Sequence, residues 1–163
     1  CMKRWDLRPV EIRNLFNPAF CGLVLFRALA AYEDEDVRGM PFSLTLLVLP
    51  LCLQRDARET LAKANRSYFL KIVVANPQML VDLPKRTTDL LPFAFEALGL
   101  LMQLGALVVT PDGRLRTVRE GVRKGIDGTP ESISCQRVAK FLGREFAQIG
   151  DRVTIYTTLG VRP

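Results

Sequence analysis

The chain has 163 residues, 48% of them hydrophobic and 25% charged, which excludes a disordered polar chain and allows one folded domain with a substantial core. A net charge of +6 and a pI near 9.5 favour an acidic partner, nucleic acid among them. There is no histidine, which excludes the commonest general base, the Ser-His-Asp and Cys-His nucleophile systems and every histidine-containing metal site.

Residues 9–15 are predicted to form a short helix on Val10, Ile12 and Leu15. Asn17-Pro18 reads as a cap followed by a first-turn proline, opening a helix whose body holds Phe20, Cys21, Leu23, Val24, Leu25, Phe26, Leu29 and Tyr32. The run Glu33-Asp34-Glu35-Asp36 opposes the helix dipole, so it is expected to fray into a loop continuing through Gly39 to Pro41. Residues 43–53 form an apolar run short enough for a buried strand or a buried helix. Leucine content and Ser43 as a cap favour helix, with Pro50 near its end. Residues 55–65 read as a polar amphipathic helix, with Asp56 and Glu59 early and Lys63 late. Residues 68–75 carry β-branched side chains yet run into a second Asn-Pro pair, Asn76-Pro77, which predicts a helix, then a short helix over 77–83 and a long one over 87–104. Such a pair fits either the helix-turn-helix of a DNA reader or ordinary helix packing.

The helix over 87–104 is apolar almost all round, broken by Glu96 and Gln103, so it is expected to be the hub of the core, with Pro92 near its first turn and Gly105 ending it. A hairpin follows: Leu107-Val108-Val109 and Leu115-Arg116-Thr117-Val118 flank Thr110-Pro111-Asp112-Gly113-Arg114, in which proline and glycine are the turn residues. Helix then hairpin is the second half of a winged helix, and Arg114, Arg116, Arg119, Arg123 and Lys124 would make the wing basic. These cations are the candidate contacts to double-stranded DNA, through phosphates and without sequence preference; the alternative is a solvated hairpin kept soluble by its arginines. After a loop over 125–128, Thr129-Pro130-Glu131 starts a helix whose stripe is Val138, Phe141, Leu142, Phe146 and Ile149 and which stops at Gly150. Asp151 can cap one last short helix ending at Gly160, with a strand as the alternative.

No catalytic constellation is present: the chain has no phosphate-binding glycine loop, nucleophile elbow or zinc-protease motif. An enzyme is not expected, and neither is a cofactor or a metal; the acids at 33–36 lack the spacing of a calcium loop. Cys1, Cys21, Cys52 and Cys135 make no CxxC pair, and Cys21 and Cys52 are expected as buried thiols in a reducing compartment. Met2-Lys3-Arg4 is followed by Trp5, Asp6 and Arg8, so no secretory leader is expected, and the longest apolar run is too short to span a membrane. The expected protein is cytoplasmic and mainly α with one β-hairpin. It is a single domain with a helical part over 1–85 and a winged-helix-like part, C-terminal helix and tail over 86–163.

Several segments together carry a resemblance: residues 13–20 (Arg-Asn-Leu-Phe-Asn-Pro-Ala-Phe), residues 46–53 with Arg58 beyond them, Asn76-Pro77, and the ending from Ile155 through Leu159-Gly160-Val161-Arg162-Pro163. Over nearly its whole length the chain resembles the middle component of three-component ABC systems, which are prokaryotic conflict operons related to Lamassu-type anti-phage defence. The resemblance implies a non-catalytic adaptor linking an SMC/Rad50-like ATPase to an effector, often a nuclease. A free-standing winged-helix DNA-binding regulator is the alternative. Tyr156, Leu159 and Arg162 in the tail are the candidate contacts to a partner subunit, residue types suited to interfaces; the competing reading is that the tail folds back to seal the core.

Overall fold

The computed structural model describes residues 17–64 and 67–162. The helix predicted over 9–15, Cys1 and the first part of the segment 13–20 lie outside the described residues.

Asn17 accepts the Ala19 N–H on its side-chain oxygen at 2.7 Å, and with Pro18 in the first turn it opens α1, Pro18–Glu35. Burial runs round this helix, taking in Cys21, Val24, Leu25, Phe26, Arg27, Ala28, Leu29, Ala31 and Tyr32, so α1 is the axis of the core. Met40–Pro41 follows as β1, Phe42–Thr45 as α2 and Val48–Cys52 as α3. The apolar run over 43–53 is thus helical, in two short pieces. Gln54 then accepts the Ala57 N–H at 2.6 Å and caps α4, Arg55–Lys63.

The helix α5, Phe69–Ala75, ends where a second helix start was expected. Asn76 donates its side-chain N–H to the Ile72 carbonyl at 2.9 Å, closing the helix behind it, and Pro77–Leu80 forms only a 3-10 turn. The long helix α6 begins at Leu83 rather than residue 87 and runs to Gln103. Pro92 therefore sits in mid-helix, where it cannot donate to the Thr88 carbonyl; Thr88 is exposed, so water can take that carbonyl.

The hub reading is corrected too. α6 buries Leu83, Thr87, Ala94, Ala97, Leu98 and Leu101 on one side, while Phe95 is 51% exposed and Met102 44%. An apolar side chain is not bound to be internal, and this helix carries more of them than the core covers. Gly105, at φ +71, ends it by letting the Ala106 N–H reach the Leu101 carbonyl at 2.9 Å and its own N–H reach Met102 at 3.1 Å.

The hairpin consists of β2, Leu107–Val109, and β3, Arg114–Thr117, with Val108 opposite Arg116 and Val109 opposite Leu115. Unforeseen in the sequence, β1 pairs with the other side of β3, Met40 opposite Leu115, making a three-stranded antiparallel sheet in the order β1-β3-β2. Two residues are too short a stretch to show alternation. α7, Pro130–Ile149, is capped by Thr129, which accepts the Ser132 N–H at 3.1 Å. Asp151, accepting from Val153 at 3.0 Å, caps the last helix, α8, Arg152–Leu159.

One apolar cluster takes side chains from every helix, and within it Phe69 on α5 meets Phe146 on α7 edge-to-face at 5.3 Å. Cys21, Cys52 and Cys135 are buried.

Candidate functional surfaces

β3 is the central strand, with Leu115 turned into the core, so Arg114 and Arg116 on either side of it face outward. There they meet the C-terminal end of α1. Arg116 pairs with Glu33 at 3.1 Å, and Arg119 with Asp34 at 2.7 Å and Glu33 at 3.5 Å. The Thr117 hydroxyl donates to the second oxygen of Glu33 at 2.7 Å. Arg114 donates to the Gly39 carbonyl at 2.8 Å and lies 3.4 Å from Asp112 and 3.9 Å from Asp36. Arg123 pairs with Asp127, and Lys124 carries no ion pair among the described residues.

The acidic run is accordingly not a frayed loop. Glu33, Asp34 and Glu35 stay helical and Asp36 caps the end. The dipole penalty of acids at a helix C-terminus is offset by the hairpin arginines, one of which, Arg119, also donates to the Ala30 carbonyl of that last turn at 3.0 Å. Hydrogen bonding to Arg38, aided by the charge of Arg114 and opposed by burial, holds the Asp36 carboxyl at about 2, below its ordinary 3.8. Asp34 in turn raises the Arg119 guanidinium. Burial pushes the Tyr32 phenol up.

The tail is folded in. Tyr156 and Leu159 are both buried, and the Tyr156 hydroxyl donates to the Ser43 carbonyl. Ile155 and Val161 are buried as well, while Arg162 is exposed. The alternation of threonines with apolar residues in this segment is that of a helix with one face inward.

The apolar surface that is open lies elsewhere. Phe42 and Phe95 stack with ring centroids 6.2 Å apart and planes 8° from parallel. Met102 stands two turns beyond Phe95 on the same side of α6, and Val108 and Val109 are exposed on β2, an edge strand. Sequence reasoning missed this face; the available signal was an α6 apolar over more than the one side a core can cover.

Arg58 and Arg27 are buried cations with structural partners. Arg58 donates to the Cys52 carbonyl at 3.1 Å, reaches Glu131 at 3.2 Å and lies 3.5 Å from the Cys135 sulfur, joining α3 to the start of α7. Arg27 donates to Gln136 at 3.2 Å and to the Gly125 carbonyl at 3.1 Å; burial lowers it and Asp127 works the other way. Among the described residues no group of three or more Cys, Asp or Glu could hold a metal ion, and no helix is long and apolar enough to cross a membrane.

What the fold defines is a mainly helical protein carrying a small antiparallel sheet, with an arginine-tied hairpin at one end of its axial helix. The family follows from comparison with known proteins: residues 5–163 match ABC-three component (ABC-3C) system Middle Component 3, and the chain belongs to that family. Its partners are the other components of that system. No curated protein and no solved structure matches it.

Proposed function

We propose that this chain is the non-catalytic adaptor of its ABC-3C system, a cytoplasmic subunit joining an SMC-like ATPase to an effector, often a nuclease, in prokaryotic defence against phages or plasmids. The observation that carries the reading is the set of exposed apolar side chains on α6 and the hairpin: the Phe42–Phe95 stack and Met102, with Val108 and Val109 on the two faces of an edge strand. Exposed large apolar side chains beside a strand edge are liabilities unless something covers them. In a family defined as one component of a larger system, another component supplies the cover.

Contact with double-stranded DNA belongs to the proposal in reduced form. Arg114, Arg116 and Arg119 already hold carboxylates, so phosphate contact falls mainly to Lys124 and to Arg123, whose pair with Asp127 is solvent-exposed. Binding of that kind is sequence-independent and falls steeply with salt.

The second reading, a free-standing winged-helix regulator, draws support from the chain order: a helix, a strand, further helices and then a hairpin that completes the β1-β3-β2 sheet. Against it, the half of α6 nearest the hairpin offers solvent Phe95 and Met102 where a DNA reader needs cations and amides.

Co-expression with the operon neighbours, followed by size-exclusion and mass measurement, tests the adaptor reading. The expected product is a stable complex containing the ATPase; elution as a free monomer at every salt concentration refutes it. Phe95→Glu with Met102→Glu should release the ATPase while the far-ultraviolet circular dichroism stays unchanged. Leu98→Asp, on the buried side of the same helix, should unfold the chain, because an unpaired buried carboxylate costs several kcal/mol against a total stability of roughly 5–15.

A further inference from the structure

Three cations that no acid holds among the described residues stand together on α7. Arg137, Lys140 and Arg144 lie at i, i+3 and i+7, on one exposed face of the helix, and none of them makes an ion pair among the described residues. Beside this face runs an open groove of about 660 Å³ between α7, the end of α4 and the start of α5. Leu61, Ile133, Val138 and Phe141 give it an apolar lining, and Tyr68, 71% exposed, stands in its wall. The Arg144 guanidinium lies over the Phe141 ring, 5.7 Å from its centroid, and this cation–π contact keeps the charge at the rim. Glu145 also lines the groove, but it is buried and its carboxylate already accepts the Phe69 N–H at 2.8 Å. On the other flank of the stripe, Asp34 and Glu35 line a smaller hollow that shares Arg137, Lys140 and Arg144.

We infer that this groove takes an acidic peptide segment of another subunit, with an apolar side chain on the lining and carboxylates on Arg137 and Arg144. Planar guanidinium groups at the edge of an apolar concavity match carboxylates flanking an apolar anchor, since the fork geometry binds a carboxylate through two donors while the anchor leaves water. A nucleic-acid backbone fits less well: it needs a long uninterrupted cationic track, and here Asp34 and Glu35 close the track within one helix face. The source of the peptide rests on the adaptor reading. The surface itself is distinct from the apolar face of α6, so the two could hold different subunits at once.

The test uses the full chain co-expressed with its operon neighbours and carrying photoreactive benzoylphenylalanine in place of Tyr68, with the crosslinked peptide sequenced by mass spectrometry. The expected adduct is to a segment of another subunit rich in Asp and Glu around an apolar residue. Arg137→Glu with Arg144→Glu should suppress the adduct and weaken that subunit's binding about tenfold or more. Arg152→Glu, a charge reversal of an exposed arginine away from the groove, should change neither. An intact complex with no adduct from position 68, an adduct on a basic segment, or binding indifferent to the double reversal overturns the groove assignment and leaves the adaptor reading standing. Failure of any complex to form removes both. If a short DNA duplex binds the chain and is lost with the double reversal while the complex is unaffected, the stripe is a nucleic-acid contact and the peptide assignment is wrong.

Discussion

The sharpest structural prediction concerns Gly143, where α7 meets α1 backbone to backbone. A Cβ built at Gly143 would overlap the Ala28 carbonyl oxygen and lie 2.8 Å from its carbon and 3.1 Å from the Ala28 Cα. Ordinary carbon–carbon contact is about 3.5–4.0 Å, and the obstructing atoms are backbone that cannot rotate away, so the two helices must part. Overpacking of this kind costs about 1–3 kcal/mol and occasionally more, against which alanine gains about 1 kcal/mol over glycine in a helix interior. Because the obstruction is backbone, the cost sits at the upper end of that range, and net of the alanine gain Gly143→Ala should lower stability by about 2 kcal/mol, which for a chain of this size is a melting point lower by about 4–8 °C. Gly99 on α6 is the control, since a Cβ there meets nothing within 4 Å. Gly99→Ala should raise stability by about 0.5–1 kcal/mol. Urea and thermal unfolding of both variants read the difference in sign; a Gly143→Ala protein as stable as Gly99→Ala would show that α1 and α7 do not pack this closely.

Three further outcomes follow from the geometry. Asp36, held at about 2 in the folded chain against 3.8 ordinarily, stabilises the fold fully above pH 4 and loses that contribution as pH falls toward 2. Its partner Arg38 is largely exposed, so the advantage of the wild type over Asp36→Asn should be only about 1 kcal/mol near neutral pH and should vanish near pH 2 in urea titrations. Glu145→Ala strands the Phe69 N–H at the start of α5 in a buried site and should cost about 1–3 kcal/mol, with amide exchange in α5 faster than elsewhere. Removing residues 155–163 takes Ile155, Tyr156, Leu159 and Val161 out of the core, each contributing about 1.5–3 kcal/mol, so the product should be unfolded by circular dichroism; a folded product would refute the sealing role.

The parts of this fold that could be read in advance are those decided within a few residues. Asn17-Pro18, Thr129-Pro130 and Asp151 cap helices as their side chains dictate, and the turn at Gly113 is set by proline, aspartate and glycine in place. Asn76-Pro77 shows the limit of such reading. The same dipeptide that opens α1 closes α5, because the Asn76 amide found the Ile72 carbonyl behind it. Strand β1 exists only because β3 is there to pair with, and no local signal encodes it. The open face of α6 was illegible for a related reason: which apolar side chains a core can cover depends on how many elements surround the helix, and Phe95, with Phe42 stacked against it, is still half exposed.

The hairpin arginines are the clearest case of a pattern whose meaning changes with its partner. Read alone, the acids at 33–36 are a solvated helix end and the cations at 114–119 a basic wing. They lie some 83 residues apart, and brought together they neutralise one another. Their role then becomes positional: Glu33 and Asp34 hold the hairpin to one end of α1, while Ala28, farther back on the same helix, is the residue that Gly143 of α7 meets. One helix thereby sets where the edge strand β2 stands relative to the groove on α7, and it does so through charge pairs at one point and backbone contact at the other. On the proposed adaptor reading the two surfaces take two partners and need that spacing fixed, and a wing that spent its arginines on phosphates would give it up.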